Sequence, residues 1–152
     1  MLGAMKTLYT AVATANDGGR SGRARTDDGT LDLKMTVPPS MGGPGGEGTN
    51  PEQLFAAGYA ACFANAMRGS ARRDGDEAVV DGATVTANVD IGALGKGSFG
   101  LAVRLDVSVP GLPQAEAEAL VAKAHERCPY SNATRGNIDV ELAVEGRAAA
   151  SA

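Results

Sequence analysis

The stretch Gly48-Thr49-Asn50-Pro51-Glu52-Gln53-Leu54-Phe55-Ala56-Ala57-Gly58-Tyr59-Ala60-Ala61-Cys62-Phe63 constrains the fold more than any other part of the chain. Asn50 is a strong N-cap residue, and Pro51 suits the first helical position, where its missing N–H costs nothing. Gln53 stands where a capping-box side chain reaches back. Leu54, Phe55, Gly58, Cys62 and Ala66 then recur at helical spacing. The pattern predicts a helix from Pro51 to about Arg72 with Cys62 on its apolar face. At ~1.5 Å per residue it spans about 33 Å, enough for a central spine. Between Ala56 and Ala66 it is too apolar for one small sheet to cover easily.

Short segments surround this helix. Tyr9 to Ala15, Arg20 to Thr26, and Leu31 to Val37 read as three strands joined by turns at Asn16-Asp17-Gly18-Gly19 and Asp27-Asp28-Gly29. Pro38 to Thr49 is rich in Gly and Pro and reads as an irregular loop. A phosphate cradle is disfavoured there, because no Gly-Lys-Ser/Thr follows and the glycines do not directly open the helix. After a charged exit from Arg68 to Glu77, Ala83 to Ile91 and Leu101 to Val109 alternate apolar and polar, with Gly92 to Gly100 as the connection. That is a hairpin with one buried face. Ala117, Leu120, Val121, Ala124 and Cys128 mark a second helix stopped by Pro129, and Ile138 to Val144 form a last strand. The class is α+β, with helices packed on antiparallel sheets. Residues 1–4 are set aside as a leader or cloning remnant, 5–146 as one domain, and 147–152 as a tail that frays.

With 152 residues, a net charge of −4 and 14 basic residues that form no stripe, the chain has the size of one domain and lacks an electrostatic footprint for nucleic acid. No apolar run is long enough for a membrane span and no signal-peptide pattern opens the chain, so the expected location is the cytoplasm. The scarcity of aromatic residues argues against a platform for a large planar cofactor, and none is expected.

Two cysteines cannot staple a chain of this length in the manner of small secreted domains. Each lies on an inward stripe, where a cysteine commonly serves as an inert small residue. A redox pair is equally compatible with the pattern. His125 and Cys128 also have the i, i+3 spacing of a metal-ligand pair, with Cys62 as a third ligand. No clustered acidic or thiol residue completes a zinc set, and a helix-end histidine bonded within the fold accounts for His125 more simply.

The segments Met5-Lys6-Thr7-Leu8-Tyr9-Thr10-Ala11, Gly19-Arg20-Ser21-Gly22-Arg23 and Asp28-Gly29-Thr30-Leu31-Asp32-Leu33 bear on this choice, as do the Asn50 to Phe63 motif and the run from Ala124 to Asn137. Together they resemble the organic hydroperoxide resistance proteins, a branch of the superfamily that also holds the osmotically inducible protein C group. The resemblance implies an intertwined homodimer, with two long helices sandwiched between sheets drawn from both chains. It implies that Cys62 is the peroxidatic nucleophile and Cys128 its resolving partner, and that Arg20 and Glu52 complete the catalytic set. Arg23 is left as a surface or sheet-edge charge.

An apolar pocket alone raises a thiol's pKa, so a guanidinium such as Arg20 is needed to favour the thiolate and to stabilise the departing alkoxide. Glu52 would hold that guanidinium by bidentate hydrogen bonds. The implied cycle forms a Cys62 sulfenic acid and then a Cys62–Cys128 disulfide, which a dithiol carried on a lipoylated protein reopens. Phe55, Phe63 and Met67, with the Gly42 to Gly46 loop, are expected to line a pocket for alkyl or fatty-acid hydroperoxides. The alternatives are a redox sensor or thiol carrier that oxidises once, and a peroxidase of the osmotically inducible protein C type with broader substrates.

Overall fold

The computed structural model describes residues 3–149, and the α+β chain divides into two compact units between Pro51 and Glu52. The sequence reading treats 5–146 as one domain. Met1 and Leu2 of the expected leader, and Ala150 to Ala152 of the expected tail, lie outside the described residues.

The first unit is a three-stranded antiparallel meander of β1 (Ala13–Ala15), β2 (Arg23–Thr26) and β3 (Asp32–Lys34). These strands are shorter than the alternation predicts. Tyr9 and Val12 stay exposed outside β1, and Leu31 is exposed before β3. Asn16 organises the turn between β1 and β2: its backbone N–H donates to the Arg23 carbonyl at 3.1 Å, and its Oδ1 accepts the Arg23 N–H at 3.0 Å. Gly22 is required there, because a Cβ would collide with Asn16 Oδ1. The turn carries Arg20 in a single 3-10 turn, Gly19–Ser21. Arg23 forms an exposed ion pair with Asp32 at 2.7 Å, a surface pair of small energetic weight. The Gly/Pro-rich loop folds back on the sheet through Thr49 N–H to Lys34 O at 2.9 Å and Thr36 N–H to Thr49 O at 2.8 Å.

The second unit comprises α1 (Pro51–Arg73) from its second residue onward, β4 (Thr84–Gly95), β5 (Ser98–Pro113), α2 (Gln114–Arg127), α3 (Pro129–Thr134) and β6 (Val140–Arg147). α1 is unbroken, and its buried face carries Tyr59, Phe63, Ala66, Met67, Ser70 and Ala71. Of the stripe read from the sequence, only Ala66 belongs to that face. Leu54, Phe55, Gly58 and Cys62 flank it half-buried, because the helix is rotated to put its largest side chains toward the core. Val103, Leu105, Val107 and Val109 of β5 meet this face together with Ala117, Leu120, Val121 and Ala124 of α2. The opposite side of α1, at Ala57, Ala61 and Ala64, is exposed.

Four features of this unit differ from the pattern expected from the sequence. The hairpin turn is much tighter than Gly92 to Gly100, because β4 and β5 extend to Gly95 and Ser98. Lys96 and Gly97 turn the chain with φ of 53° and 75°, the left-handed pair that matches strand twist in a two-residue loop. The sheet is not wholly antiparallel: its order is β4-β5-β6, and β5 pairs with β6 in parallel. The helical crossover through α2 and α3 returns the chain in the same direction. Pro129 does stop α2, yet it also opens α3, where its fixed φ and missing N–H suit the first position. β6 runs to Arg147, one residue into the expected tail.

The end of α1 is closed by charge. Glu77 accepts from Arg72 Nε at 3.0 Å and from Arg68 Nη1 at 3.1 Å, and these bonds, the Arg72 bond foremost, hold its carboxyl down at about 2. Its folded pKa lies below its usual 4.5. This contribution to stability is therefore complete above pH 4.5 and fades as the pH falls toward 2. Glu77→Gln is expected to lower the melting temperature at neutral pH and to lose less on acidification across this window than the wild type, as thermal melts at stepped pH would show.

Candidate active site

Cys62 sits on α1 one helical turn beyond Tyr59, and Cys128 occupies the junction where α2 ends and α3 begins. Cys128 has extended backbone angles, φ −65° and ψ 125°, which break the helical path at this point. Its N–H still donates to the Ala124 carbonyl at 2.8 Å, and its carbonyl accepts the Asn132 N–H at 2.9 Å, so both ends of the break are bonded. Pro129 favours the break, since it disfavours a helical conformation at the residue before it.

This kink turns the first residues of α3 toward α1. The thiols of Cys62 and Cys128 are free and near enough to influence one another, and the backbone N–H of Tyr130 approaches Cys62 Sγ. Cys128 is wholly buried and Cys62 half-buried. Burial pushes the Cys62 thiol pKa up, the adjacent Cys128 thiol pushes the same way, and the Tyr130 N–H opposes them. The pair is thus placed for sulfur–sulfur chemistry, but its immediate surroundings favour the neutral thiol. An added positive charge would be needed to favour the thiolate.

A cavity of about 630 Å³ is lined by Phe55, Leu94, Phe99, Leu101, Pro129, Tyr130 and Ile138 among others; neither cysteine lines it, and Pro129 and Tyr130, which follow Cys128, connect it to the pair. Tyr130 joins the two features: its ring faces the cavity while its N–H reaches Cys62. Phe55, Tyr59 and Tyr130 pack their rings at centroid separations of 5.5 to 6.1 Å. Of the three residues expected to line a substrate pocket, Phe55 lines this cavity. Phe63 and Met67 do not line it, because they point into the core between α1 and β5, where they are 0% and 1% exposed. Leu94, Phe99 and Tyr130 went unnoticed in the sequence. Leu94 and Phe99 fall in a glycine-rich stretch read as a connection, and Tyr130 follows the proline taken as a helix stop.

Glu52 lies in the first turn of α1, about 15 Å along the axis from Cys62, and Arg20 lies in the 3-10 turn of the first unit. His125, weighed as a metal ligand, instead has Nδ1 at 2.8 Å from Ser131 Oγ. Among the described residues, no three His, Cys, Asp or Glu side chains converge as a metal set. No described helix is long and apolar enough to cross a membrane.

The family described as OsmC-like protein matches residues 43–143. The organic hydroperoxide resistance protein of Xanthomonas axonopodis pv. citri (strain 306) is 55% identical over 137 residues, covering 90% of this chain and 94% of that protein. The crystal structure of an organic hydroperoxide resistance protein from Legionella pneumophila aligns with a TM-score of 0.86 at 51% identity, covering 92% of this chain and 99% of that one. A Vibrio cholerae structure, described as a putative organic hydroperoxide resistance protein with captopril in one of its active sites, aligns at 0.85 and 48% identity, covering 92% and 94%. The chain belongs to the OsmC-like family and, within it, to the organic hydroperoxide resistance proteins.

Gly58 tests the packing that places Tyr130. A Cβ at this position would collide with the Tyr130 hydroxyl and lie 3.0 Å from its Cζ. Alanine in a helix interior gains ~1 kcal/mol over glycine, whereas overpacking costs ~1–3 kcal/mol. Gly58→Ala is therefore expected to destabilise by up to about 2 kcal/mol in urea unfolding. Adding Tyr130→Phe, which removes the colliding oxygen, should restore at least half of the loss.

Proposed function

We propose that the protein is a cysteine-based peroxidase that reduces organic hydroperoxides to alcohols. The observation that carries this reading is the adjacency of the Cys62 and Cys128 thiols, next to Tyr130, which also lines an apolar cavity. Cys62 thiolate attacks the terminal oxygen of the hydroperoxide, the O–O bond breaks, and the alkoxide takes a proton to leave as the alcohol. Cys62 is left as a sulfenic acid, which Cys128 converts to a disulfide with release of water before further oxidation can intervene. A dithiol, of the kind carried on dihydrolipoyl proteins in a reducing cytoplasm, then reopens the bond by thiol–disulfide exchange.

Cys62 supplies the nucleophile on α1 and Cys128 the resolving thiol. Arg20 would supply the positive charge that burial makes necessary and would bind the oxygen on which negative charge develops. Glu52 would hold the guanidinium in a fixed plane. The apolar walls at Phe55, Leu94 and Phe99 favour alkyl chains over hydrogen peroxide, because burying an apolar chain gains ~25 cal/mol per Å².

The unbroken helix α1 bears on which chain supplies each part. About 15 Å separates Glu52 from Cys62 along one axis, too far for one compact site. An antiparallel partner helix would bring Glu52 of the partner subunit beside Cys62. The exposed Ala57, Ala61 and Ala64 offer a smooth face on which a second α1 could lie closely. Each site would then join Cys62 and Cys128 of one subunit to Glu52 and Arg20 of the other, with two sites per two-fold dimer.

Two experiments test these claims. In an assay coupling lipoamide, lipoamide dehydrogenase and NADH, the wild type should consume cumene hydroperoxide over many turnovers and faster than hydrogen peroxide. Cys62→Ser should be inactive, and Cys128→Ser should react once and then over-oxidise. Peroxide turnover by Cys62→Ser would remove the nucleophile from the scheme. For the shared site, mixing Cys62→Ser with Glu52→Ala chains should give heterodimers with one intact site. Verified heterodimers with no recovered activity would show that each site is built within one chain.

A further inference from the structure

Behind the two thiols lies a polar network inside an otherwise apolar core. The Tyr59 hydroxyl lies 2.9 Å from Ser131 Oγ and 3.3 Å from Thr134 Oγ1. Ser131 Oγ is in turn 2.8 Å from His125 Nδ1. Tyr59 and Ser131 are fully buried and Thr134 nearly so, among Phe63, Ala124 and Cys128. Burying these groups is costly unless each is bonded. Every buried side-chain nitrogen and oxygen among the described residues has its partner.

The placement of the network matters more than its energy. Tyr59 precedes Cys62 by one turn of α1, and Ser131 follows Cys128 by one turn at the start of α3. The contacts close a ring: Cys62 to Tyr59 along α1, Tyr59 to Ser131 through a hydrogen bond, Ser131 to Cys128 along α3, and Cys128 back to Cys62. His125, from the last turn of α2, fixes the second side of Ser131 and so holds the helix break at Cys128 from both flanks. An apolar contact would allow α3 to slide on α1, whereas a satisfied buried hydrogen bond specifies one arrangement.

We propose that Tyr59, Ser131 and His125 are positioning residues that hold Cys128 against Cys62 and thereby set the rate of disulfide closure. This rests on the peroxidase reading above. In the closing step the Cys128 sulfur attacks the Cys62 sulfenic sulfur and the S–O bond breaks. Hydroxide departs and takes the proton given up by Cys128 as water. The sulfenic sulfur is reduced and the thiol sulfur oxidised, so no further reagent is required. The network touches neither sulfur. It acts by keeping the attacking sulfur in line, where a displacement of about 1 Å can cost roughly 10²-fold in rate.

The test mixes reduced protein with one equivalent of cumene hydroperoxide. Quenched-flow mass spectrometry then follows sulfenic acid formation and disulfide closure as separate phases. Tyr59→Phe and Ser131→Ala are expected to keep the first phase within about threefold of wild type and to slow closure at least tenfold. The equilibrium with a dithiol buffer should move by a similar factor, and tenfold corresponds to ~30 mV. His125→Ala should behave alike, while His125→Asn, which keeps a polar atom near Nδ1, should restore closure. A network that merely stabilised the fold would slow both phases together and show no such rescue.

Closure at the wild-type rate in folded Tyr59→Phe and Ser131→Ala would overturn the inference. If those two fail to fold, equal closure rates in His125→Ala and His125→Asn overturn it instead. A wild type that closes normally while the variants match it sinks this inference alone. A wild type that never forms the Cys62–Cys128 bond sinks the peroxidase reading as well.

Discussion

Burial of one face of α1 against β5 and α2 is the constraint on which the arrangement of the second unit depends. Tyr59, Phe63 and Met67 are almost wholly withdrawn from water there, against Leu105, Val107 and Val121. Side chains of this kind each gain ~1.5–3 kcal/mol on burial, so the rotation of α1 about its own axis is set by where these three must point. Cys62 follows passively to the flank of that face, where it stays half-buried. A rotation that buried Cys62 fully would put Tyr59 or Phe63 into solvent at greater cost than burying one thiol repays.

The second determinant is the helix break at Cys128. A continuous α2 would carry Cys128 onward along its own axis. Pro129 works against this and favours the extended conformation seen at the position that bears the thiol. The new helix begins with free N–H groups, and one of these, from Tyr130, approaches Cys62 Sγ. Proline chemistry, sulfur placement and the donor to Cys62 thus come from one local event. The raised pKa of Cys62 follows from the same enclosure.

The resemblance read from the cysteine motifs agrees with the family to which the chain belongs, and the α+β class with the elements formed. Pocket residues were harder to name. Phe55, Phe63 and Met67 are all apolar residues of α1, yet only Phe55 lines the cavity. On a helix, however, the residue next to a flank position points into the core. Phe99 is distant in sequence and reaches the cavity because the hairpin of β4 and β5 extends past the end of the expected strands.

Local patterns determined a great deal by themselves. Pro51 and the apolar run that follows specify a long helix, alternation specifies β4 and β5, and Pro129 specifies where α2 ends, because each is a matter of backbone sterics or of a period counted along the chain. Tertiary structure decided which side of α1 faces inward, that β6 joins β5 in parallel, and that Cys128 meets Cys62. Those outcomes turn on packing between segments far apart in sequence. Their energies are set by volume, burial and hydrogen-bond satisfaction in three dimensions, which no period along the chain records.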